Sequence, residues 1–382
     1  MDKVFLSHNN IISSLGFDSE TVVEKISKEV SGLRLVDDPK IMSRPFYTSM
    51  IPQDDLQKAS SELRTIQQHT RLEQMLLVSL HKTIDASEVK LTDRVGLIIS
   101  TTKGNIDVLE ENSAFSEERA YLGALSDQLK THFGFKTEPV VLSNACVSGV
   151  LAIAVAKRLI RQDRFDHVFV VAGDLVTKFI ISGFNSFQAL SEEPCRPYSK
   201  NRSGINIGEV AASILVTKDD NLLVEEAVEI LGEASCNDAN HISGPSRTGE
   251  GLYRSIKAAL KEAKIPASDI DYISAHGTAT LFNDEMEAIA FNRVGLGQTP
   301  LNSLKGYFGH TLGASGLLET IIGMHSLHQN TLFASKGFQE LGVSEPLNII
   351  EKTTSKEIKT FLKTASGFGG SNTAAIFRKA AV

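Results

Sequence analysis

Cys146, His276 and His310 are the residues whose types and settings could do chemistry. Cys146 lies in SNACVSGVLAIAVAKRLI, at the head of an apolar run. A cysteine in such a place is often a small core hydrophobe. The other reading is a reactive thiol. A strand feeding a helix here would put the sulfur at a helix N-terminus, where unpaired N–H groups and the dipole favour the thiolate. The same N–H groups could hold the oxyanion of an acyl group under attack. Ser148 and Gly149 would leave room for the ligand. His276 lies in SAHGTAT, a strand end followed by a glycine turn. That is the ligand side of an open α/β sheet. His310 lies in LKGYFGHTLGASG, before an apolar helix and after Lys305. His276 also reads as a satisfied core residue, and the glycine-rich turn at His310 as a phosphate cradle. SGFGGSN is a third glycine-rich turn and carries Phe368. No GxxxxGK[ST] occurs, and no GxGxxG follows a strand, so these glycines form no recognised phosphate loop. One thiol, two imidazoles and three glycine turns at strand ends suit acyl-thioester chemistry.

The elements that must position these residues alternate. Val4–Leu6 reads as a strand followed by turns, and RVGLIIST as a second strand. Apolar spacing predicts a helical stretch over about 51–84, and a polar, acidic stretch near 109–132 also reads as helical. PVVLSNAC reads as a strand that runs into the cysteine. After it, Val147, Val150, Leu151, Ala154 and Val155 repeat at helical spacing, in a helix buried all round until Lys157 and Arg158. HVFVVAGD follows as a strand. The second half repeats this grammar. SILVTKDD, IDYISAHGT and TAAIFRK read as strands, and 250–265, 283–294 and 315–329 as helices. The β–α–β order around a buried helix predicts an α/β fold with a largely parallel, covered sheet. No low-complexity linker divides the chain, and two halves, 1–218 and 219–382, are expected in one body.

The 382 residues are ample for a large core, and 42% apolar with 22% charged residues marks an ordinary globular chain. A net charge of −7 argues against bare nucleic acid as the main partner. With Cys195 and Cys236 the cysteines number three, without a CxxC pair, which excludes a disulfide framework or zinc ribbon as the reading. His325 and His328 stand three apart on a helix with no third ligand type in a suitable motif, and His69, His132, His167 and His241 are scattered. No metal site is expected. Nothing reads as a signal peptide or a membrane span, and the expected location is the cytoplasm.

NACVSG, HGTATLFNDEME, KGYFGHTLGASGLLE and GFGGSN together resemble, in order, the motifs of the β-ketoacyl-acyl carrier protein synthases. These are condensing enzymes of the thiolase superfamily, and the resemblance is to the elongating branch with its Cys-His-His triad. RPYSKNRSGINIGEVAASILV and CNDANHISGP look like further segments of that family. Histidine at 310 separates the chain from initiating enzymes with Cys-His-Asn. GFGGSN lacks the second cysteine of degradative thiolases, and Cys146 is present where chain-length-factor subunits generally lack it. The departures are Ala279 for the second glycine of the first histidine motif, Ser366 for an asparagine, and a short region over 101–140.

The resemblance implies a thiolase-like fold: two similar βαβαβ-type halves in a layered αβαβα body. It implies decarboxylative Claisen condensation of an acyl group with malonyl-acyl carrier protein, giving 3-oxoacyl-acyl carrier protein and CO2. The setting would be fatty acid or aryl polyene/polyketide-type elongation. The alternative is a non-catalytic, chain-length-factor-like subunit of a heterodimeric ketosynthase. Cys146 would be the nucleophile. His276 and His310 would donate hydrogen bonds to the thioester oxygen. The backbone N–H groups of Cys146 and Phe368 would form the oxyanion hole, with Phe368 as the gate. Lys305 and Glu319 would orient His310, while Asp284 and Glu287 brace the His276 loop. Thr278, Thr280 and Gly369 would touch the acyl or phosphopantetheine chain. The protein would need no cofactor of its own, because its substrates ride on the phosphopantetheine arm of acyl carrier protein. It would act as a homodimer, or as a heterodimer with a sister subunit. Carrier proteins are acidic, so a basic patch including Lys178, Arg202 and Arg247 is expected at the tunnel mouth.

Overall fold

The computed structural model describes residues 3–61, 63, 68–238 and 244–381. His241, and half of the CNDANHISGP segment that contains it, lie outside the described residues. The main sheet has eleven strands. Their spatial order is Asn348–Ile349, Pro300–Asn302, Tyr272–Ser274, Thr360–Gly367, Ser371–Lys379, Val228–Asn237, Phe5–Ser13, Val210–Thr217, His167–Asp174, Val95–Ser100 and Val140–Leu142.

The expectation of a largely parallel sheet holds only toward the edges. Val95–Ser100 runs parallel to Val140–Leu142 and His167–Asp174. Tyr272–Ser274 runs parallel to Pro300–Asn302 and Thr360–Gly367. The central strands are antiparallel. One cause is plain in the sequence: Phe368–Gly370 joins two long strands by a tight turn, and a tight turn can only make an antiparallel pair.

The two halves of the sheet meet at a narrow seam, where only Phe5 and Leu6 pair with Glu229 and Val228. An irregularity between Leu6 and Asn9 lies beside that seam. Such bulges bend a strand and increase its twist. Helices Ser148–Arg161 and Ser315–Gln329 pack against each other and touch strands of both halves. They form the middle layer. Helix Arg71–Ser87 covers the outer face of the N-terminal half, and Glu250–Ala263 that of the C-terminal half. The order is helix, sheet, helix, sheet, helix. Three apolar clusters fill the spaces between layers. The central one joins Val150 and Ile153 to Leu317, Ile321 and Phe361. Leu76, Leu97 and Phe169 anchor one outer cluster, and Ile256, Ile273 and Ile376 the other.

Several elements depart from expectation for one recurring reason: polar groups are buried but paired. Phe5–Ser13 is a nine-residue strand, not a short strand and a turn. Its Ser7 hydroxyl is satisfied by the Leu222 carbonyl at 2.5 Å. Val228–Asn237 and Thr360–Gly367 are strands that apolar patterning missed, because each carries a charge inward. Glu233 pairs with Arg158 at 2.6 Å, and Lys363 with Glu319 at 2.6 Å. Lys157 does not end the buried stretch of its helix. It is only 1% exposed and pairs with Glu262 at 2.8 Å. Among the described residues, the region 51–84 holds two α-helices, Gln53–Ser60 and Arg71–Ser87, the second opened by a Thr70/Glu73 capping box. Residues 62 and 64–67 of that region lie outside the described residues. Over 109–132 a short 3-10 turn precedes the helix Leu122–Phe133. No described helix is long and apolar enough to cross a membrane.

Candidate active site

The strand before Cys146 stops at Leu142, and the chain turns sharply. Ala145 takes a left-handed φ of 45°. Few residues with a side chain adopt that conformation, and it is found where the surrounding structure imposes it. Ser148 ties the turn: its hydroxyl accepts from the Asn144 N–H and donates to the Ala145 carbonyl, both at 2.7 Å. The helix then begins at Ser148.

Gly149 has a different task from the one expected. A Cβ there would lie 2.5 Å from the Leu317 nitrogen, and one on Gly316 would lie 2.6 Å from the Val150 nitrogen. The two glycines let the Cys146 and His310 helices cross with their backbones touching. Neither leaves room for a ligand.

Cys146 is buried, and burial pushes its thiol up to about 12. The expected lowering at the helix end is overridden: desolvation dominates, while the Lys305 charge pulls only partly the other way. The resting residue is a thiol.

The His276 loop hangs from two buried carboxylates. Glu287 accepts the His276 N–H at 2.9 Å and the Gly277 N–H at 2.7 Å. Asp284 accepts the Thr278 N–H at 2.9 Å and the Tyr198 N–H at 2.7 Å. Burial raises both acids, Asp284 to about 7. Ala279 sits at φ 62°, the left-handed region in which glycine is free of strain.

His310 follows a buried short helix, Lys305–Phe308. The Leu312 N–H donates to its Nδ1 at 3.1 Å. A nitrogen that accepts carries no proton, so neutral His310 keeps its hydrogen on Nε2. That Nε2 is buried without a partner among the described residues, as is Nδ1 of His276. Burial, and then the Lys305 charge, hold both imidazoles well below the ordinary histidine value.

Beneath them lies a charge cluster. Lys305 meets one oxygen of Glu319 at 2.6 Å. Lys363, which the sequence reading missed, meets the other at 2.6 Å. Asp174, also missed, takes N–H groups from Thr102 and Gly313 and so ties the end of its strand to the turn after His310. The available signal was position: Asp174 ends a strand on the same side of the sheet as Cys146.

Donor atoms of Cys146, His276 and His310 all lie within 4.8 Å of one another, and the two rings are 5.1 Å apart. These are also metal-ligand types. However, the proton on His310 Nε2 occupies the lone pair a metal would need, so the geometry favours hydrogen-bond donation.

All three line a cavity of about 450 Å³, with Thr278, Thr280, Phe368 and Gly369 in its wall. The Thr278 and Thr280 hydroxyls bond to each other at 2.8 Å. Phe368 is 38% exposed and lies against Phe184 and Phe187, at 5.7 and 5.4 Å between rings. Gly369, at φ 82°, makes the turn beside it. Neither Phe184 nor Phe187 was singled out from the sequence. Ser366 is buried and donates to Asn372 at 2.8 Å. Cys195 is buried with its thiol on the Lys305 carbonyl, and Cys236 is half-buried.

Of the expected basic patch, Lys178 is exposed, and Arg247 is exposed next to the wall residue Ser246. Arg202 is not a surface charge. It is buried beside Asp284, and its guanidinium donates to the Ser199 and Gly342 carbonyls.

Residues 18–221 match the family model "Beta-ketoacyl synthase, N-terminal domain", and residues 227–339 match "Beta-ketoacyl synthase, C-terminal domain". The chain belongs to the beta-ketoacyl synthase family. Among similar curated proteins, 3-oxoacyl-[acyl-carrier-protein] synthase 2 of Rhizobium meliloti is 33% identical over 251 residues, which span 62% of this chain and 59% of that protein. The 3-oxoacyl-[acyl-carrier-protein] synthase 1 of Buchnera aphidicola is 28% identical over 411 aligned positions, covering 99% of this chain and all of the relative. Among solved structures, the ketosynthase ApeO in complex with its chain length factor ApeC from Xenorhabdus doucetiae aligns with a TM-score of 0.86 and 25% identity, over 99% of this chain and 98% of that one. The ishigamide ketosynthase/chain length factor aligns over the full length of both chains with a TM-score of 0.90 and 23% identity. The fold of this beta-ketoacyl synthase is that of the ketosynthases, as its motifs implied.

Proposed function

We propose that this beta-ketoacyl synthase condenses an acyl group with malonyl-acyl carrier protein, releasing CO2 and 3-oxoacyl-acyl carrier protein. The observation that carries the reading is the meeting of buried Cys146 with two buried, neutral imidazoles at one cavity. In the first half-reaction the Cys146 sulfur attacks the thioester carbon of an acyl-carrier protein. The thiol proton leaves as the S–C bond forms, and it ends on the departing phosphopantetheine sulfur. Cys146 suits this step because sulfur is both nucleophile and leaving group. In the second, the malonyl C–COO⁻ bond breaks, and its electron pair moves toward the thioester oxygen. N–H donors on His310, and on His276 in the matching tautomer, stabilise that oxygen without giving up a proton. The carbanion attacks the acyl-cysteine, and the expelled Cys146 sulfur takes a proton from solvent.

Lys305 and Glu319 hold the His310 side, and Asp284 and Glu287 the His276 loop. Backbone N–H groups of Cys146 and Phe368 serve the acyl oxyanion, Phe368 gates entry, and Thr278, Thr280 and Gly369 line the substrate's path. The chemistry calls for no cofactor beyond the carrier protein's phosphopantetheine. The two halves, divided near 218, supply the thiol and the histidines respectively. The enzyme would work in the cytoplasm, as a homodimer or beside a sister subunit. ApeO, solved with its chain length factor, supports the paired form.

Mass spectrometry tests the reading. Incubation with an acyl-carrier protein is expected to add the acyl mass to Cys146, and malonyl-carrier protein is then expected to discharge it as the 3-oxoacyl product. If a partner protein gains the adduct and Cys146 never does, the chain is the non-catalytic subunit instead.

A further inference from the structure

Lys363 sits in the middle of the strand Thr360–Gly367 and is fully buried. Its ammonium donates to the Ser274 and Ala275 carbonyls, at 3.1 and 3.2 Å. It also meets Glu319 at 2.6 Å. The peptide between Ala275 and His276 is therefore held at both ends: its carbonyl by Lys363, its N–H by Glu287 at 2.9 Å. Glu319 stands on the helix that begins just after the His310 turn, and its other oxygen holds Lys305. Lys363 is thus the cation that links the support of one histidine to the support of the other.

The charges facing Lys363 come from three elements. Glu319 lies on the His310 helix, Lys305 on the short helix before His310, and Glu287 on the helix after His276. Two ammonium groups share one carboxylate, so this part of the cluster is cationic. Its charge opposes protonation of both imidazoles. Burial lowers Lys363 itself, and Glu319 acts to keep it charged. A lysine buried without a task is costly, and a neutral chain of the same length would fill the space.

We propose that Lys363 is a positioning residue for decarboxylation, clamping the support of His276 to the support of His310. This rests on the condensation reading. Lys363 does not touch Cys146, so thioester exchange at the sulfur should be nearly indifferent to it.

The test separates the half-reactions across pH. In Lys363→Met, acylation of Cys146 by acyl-carrier protein should stay within about threefold of wild type. Malonyl-carrier protein decarboxylation should fall between about 10- and 100-fold, the range expected when a reacting group loses its placement. Its acid limb should move up by about one pH unit, because removing one buried positive charge makes the imidazoles easier to protonate. Lys363→Arg should recover part of the rate and return the limb. Equal losses in both half-reactions, or an unmoved limb, would overturn the proposal. If Lys363→Met does not fold, ¹⁵N NMR of wild-type histidine rings decides. Both active-site rings should stay neutral through the pH range in which a free histidine titrates, and an imidazole titrating near 6.5 would count against it. A wild type that neither acylates nor decarboxylates overturns the condensation reading instead, and the NMR result still judges Lys363.

Discussion

The cysteine side and the histidine side of the cavity are built by different physics. Cys146 is placed by backbone geometry: a left-handed Ala145, a hydroxyl-tied turn and two glycines at a helix crossing. Among the described residues no charged side chain bonds to it. His276 and His310 are placed by charge. Asp284 and Glu287 hold one loop through backbone N–H groups, and Lys305, Glu319 and Lys363 underlie both. The protonation states differ accordingly. Burial keeps the sulfur a thiol and the imidazoles neutral, so the charge lies one layer below Cys146, His276 and His310. A sulfur that attacks and leaves needs an open line of approach, which glycines and a tight turn provide. Donors that must stay in place as an oxygen gains charge need rigid anchors, and buried ionic hydrogen bonds are the stiffest available.

The contrast can be broken first at the crossing. Gly149→Ala adds a methyl 2.5 Å from the Leu317 nitrogen, which is backbone and cannot swing aside. The expected cost is about 3 kcal/mol or more, read as a lower midpoint in urea unfolding. A neutral outcome would mean that the helices slide freely and that steric placement of Cys146 is wrong.

A smaller effect, confined to the histidine side, should follow Glu287→Gln. The amide keeps one acceptor oxygen but turns an NH₂ toward an N–H that needs an acceptor, costing about 1–3 kcal/mol. Decarboxylation should drop by about 10- to 100-fold, while alkylation of Cys146 by iodoacetamide changes little. Loss of both together would erase the distinction between the two sides.

The mildest test changes no residue. With the thiol near 12, the thiolate fraction at Cys146 should rise about tenfold per pH unit, and its alkylation rate should climb through pH 9 without levelling. A helix-end thiolate would level below about pH 8, and that result would place the cysteine side under electrostatic control as well.

Much of the site was legible in the chain because its motifs are local. Cys146, His276, His310 and Phe368 each sit in a short turn whose glycines and small residues announce it. Asp284 and Glu287 fall eight and eleven residues after His276, the spacing that lets a following helix fold its acids back onto the loop. Lys363, Asp174 and Phe184 were not legible. Each lies in an ordinary element, and its meaning depends on something distant in the chain: Lys363 on the Ser274 carbonyl 89 residues away, Asp174 on the Gly313 N–H 139 residues away, and Phe184 on Phe368 in the facing wall of the cavity. Arg202 was misread for the same reason: a lone arginine in a loop looks exposed until Asp284 and two carbonyls are brought around it.

By itself, then, the sequence determined which candidate groups come in motifs and which turns carry them, because turn chemistry and helical periodicity act over a few residues. Only the tertiary structure decided what Gly149 is for, which face of the fold buries Lys363, and that Cys146 rests as a thiol. Those three depend on how far each group is taken from water and on which distant backbone comes near. Packing sets both, and no local pattern encodes either.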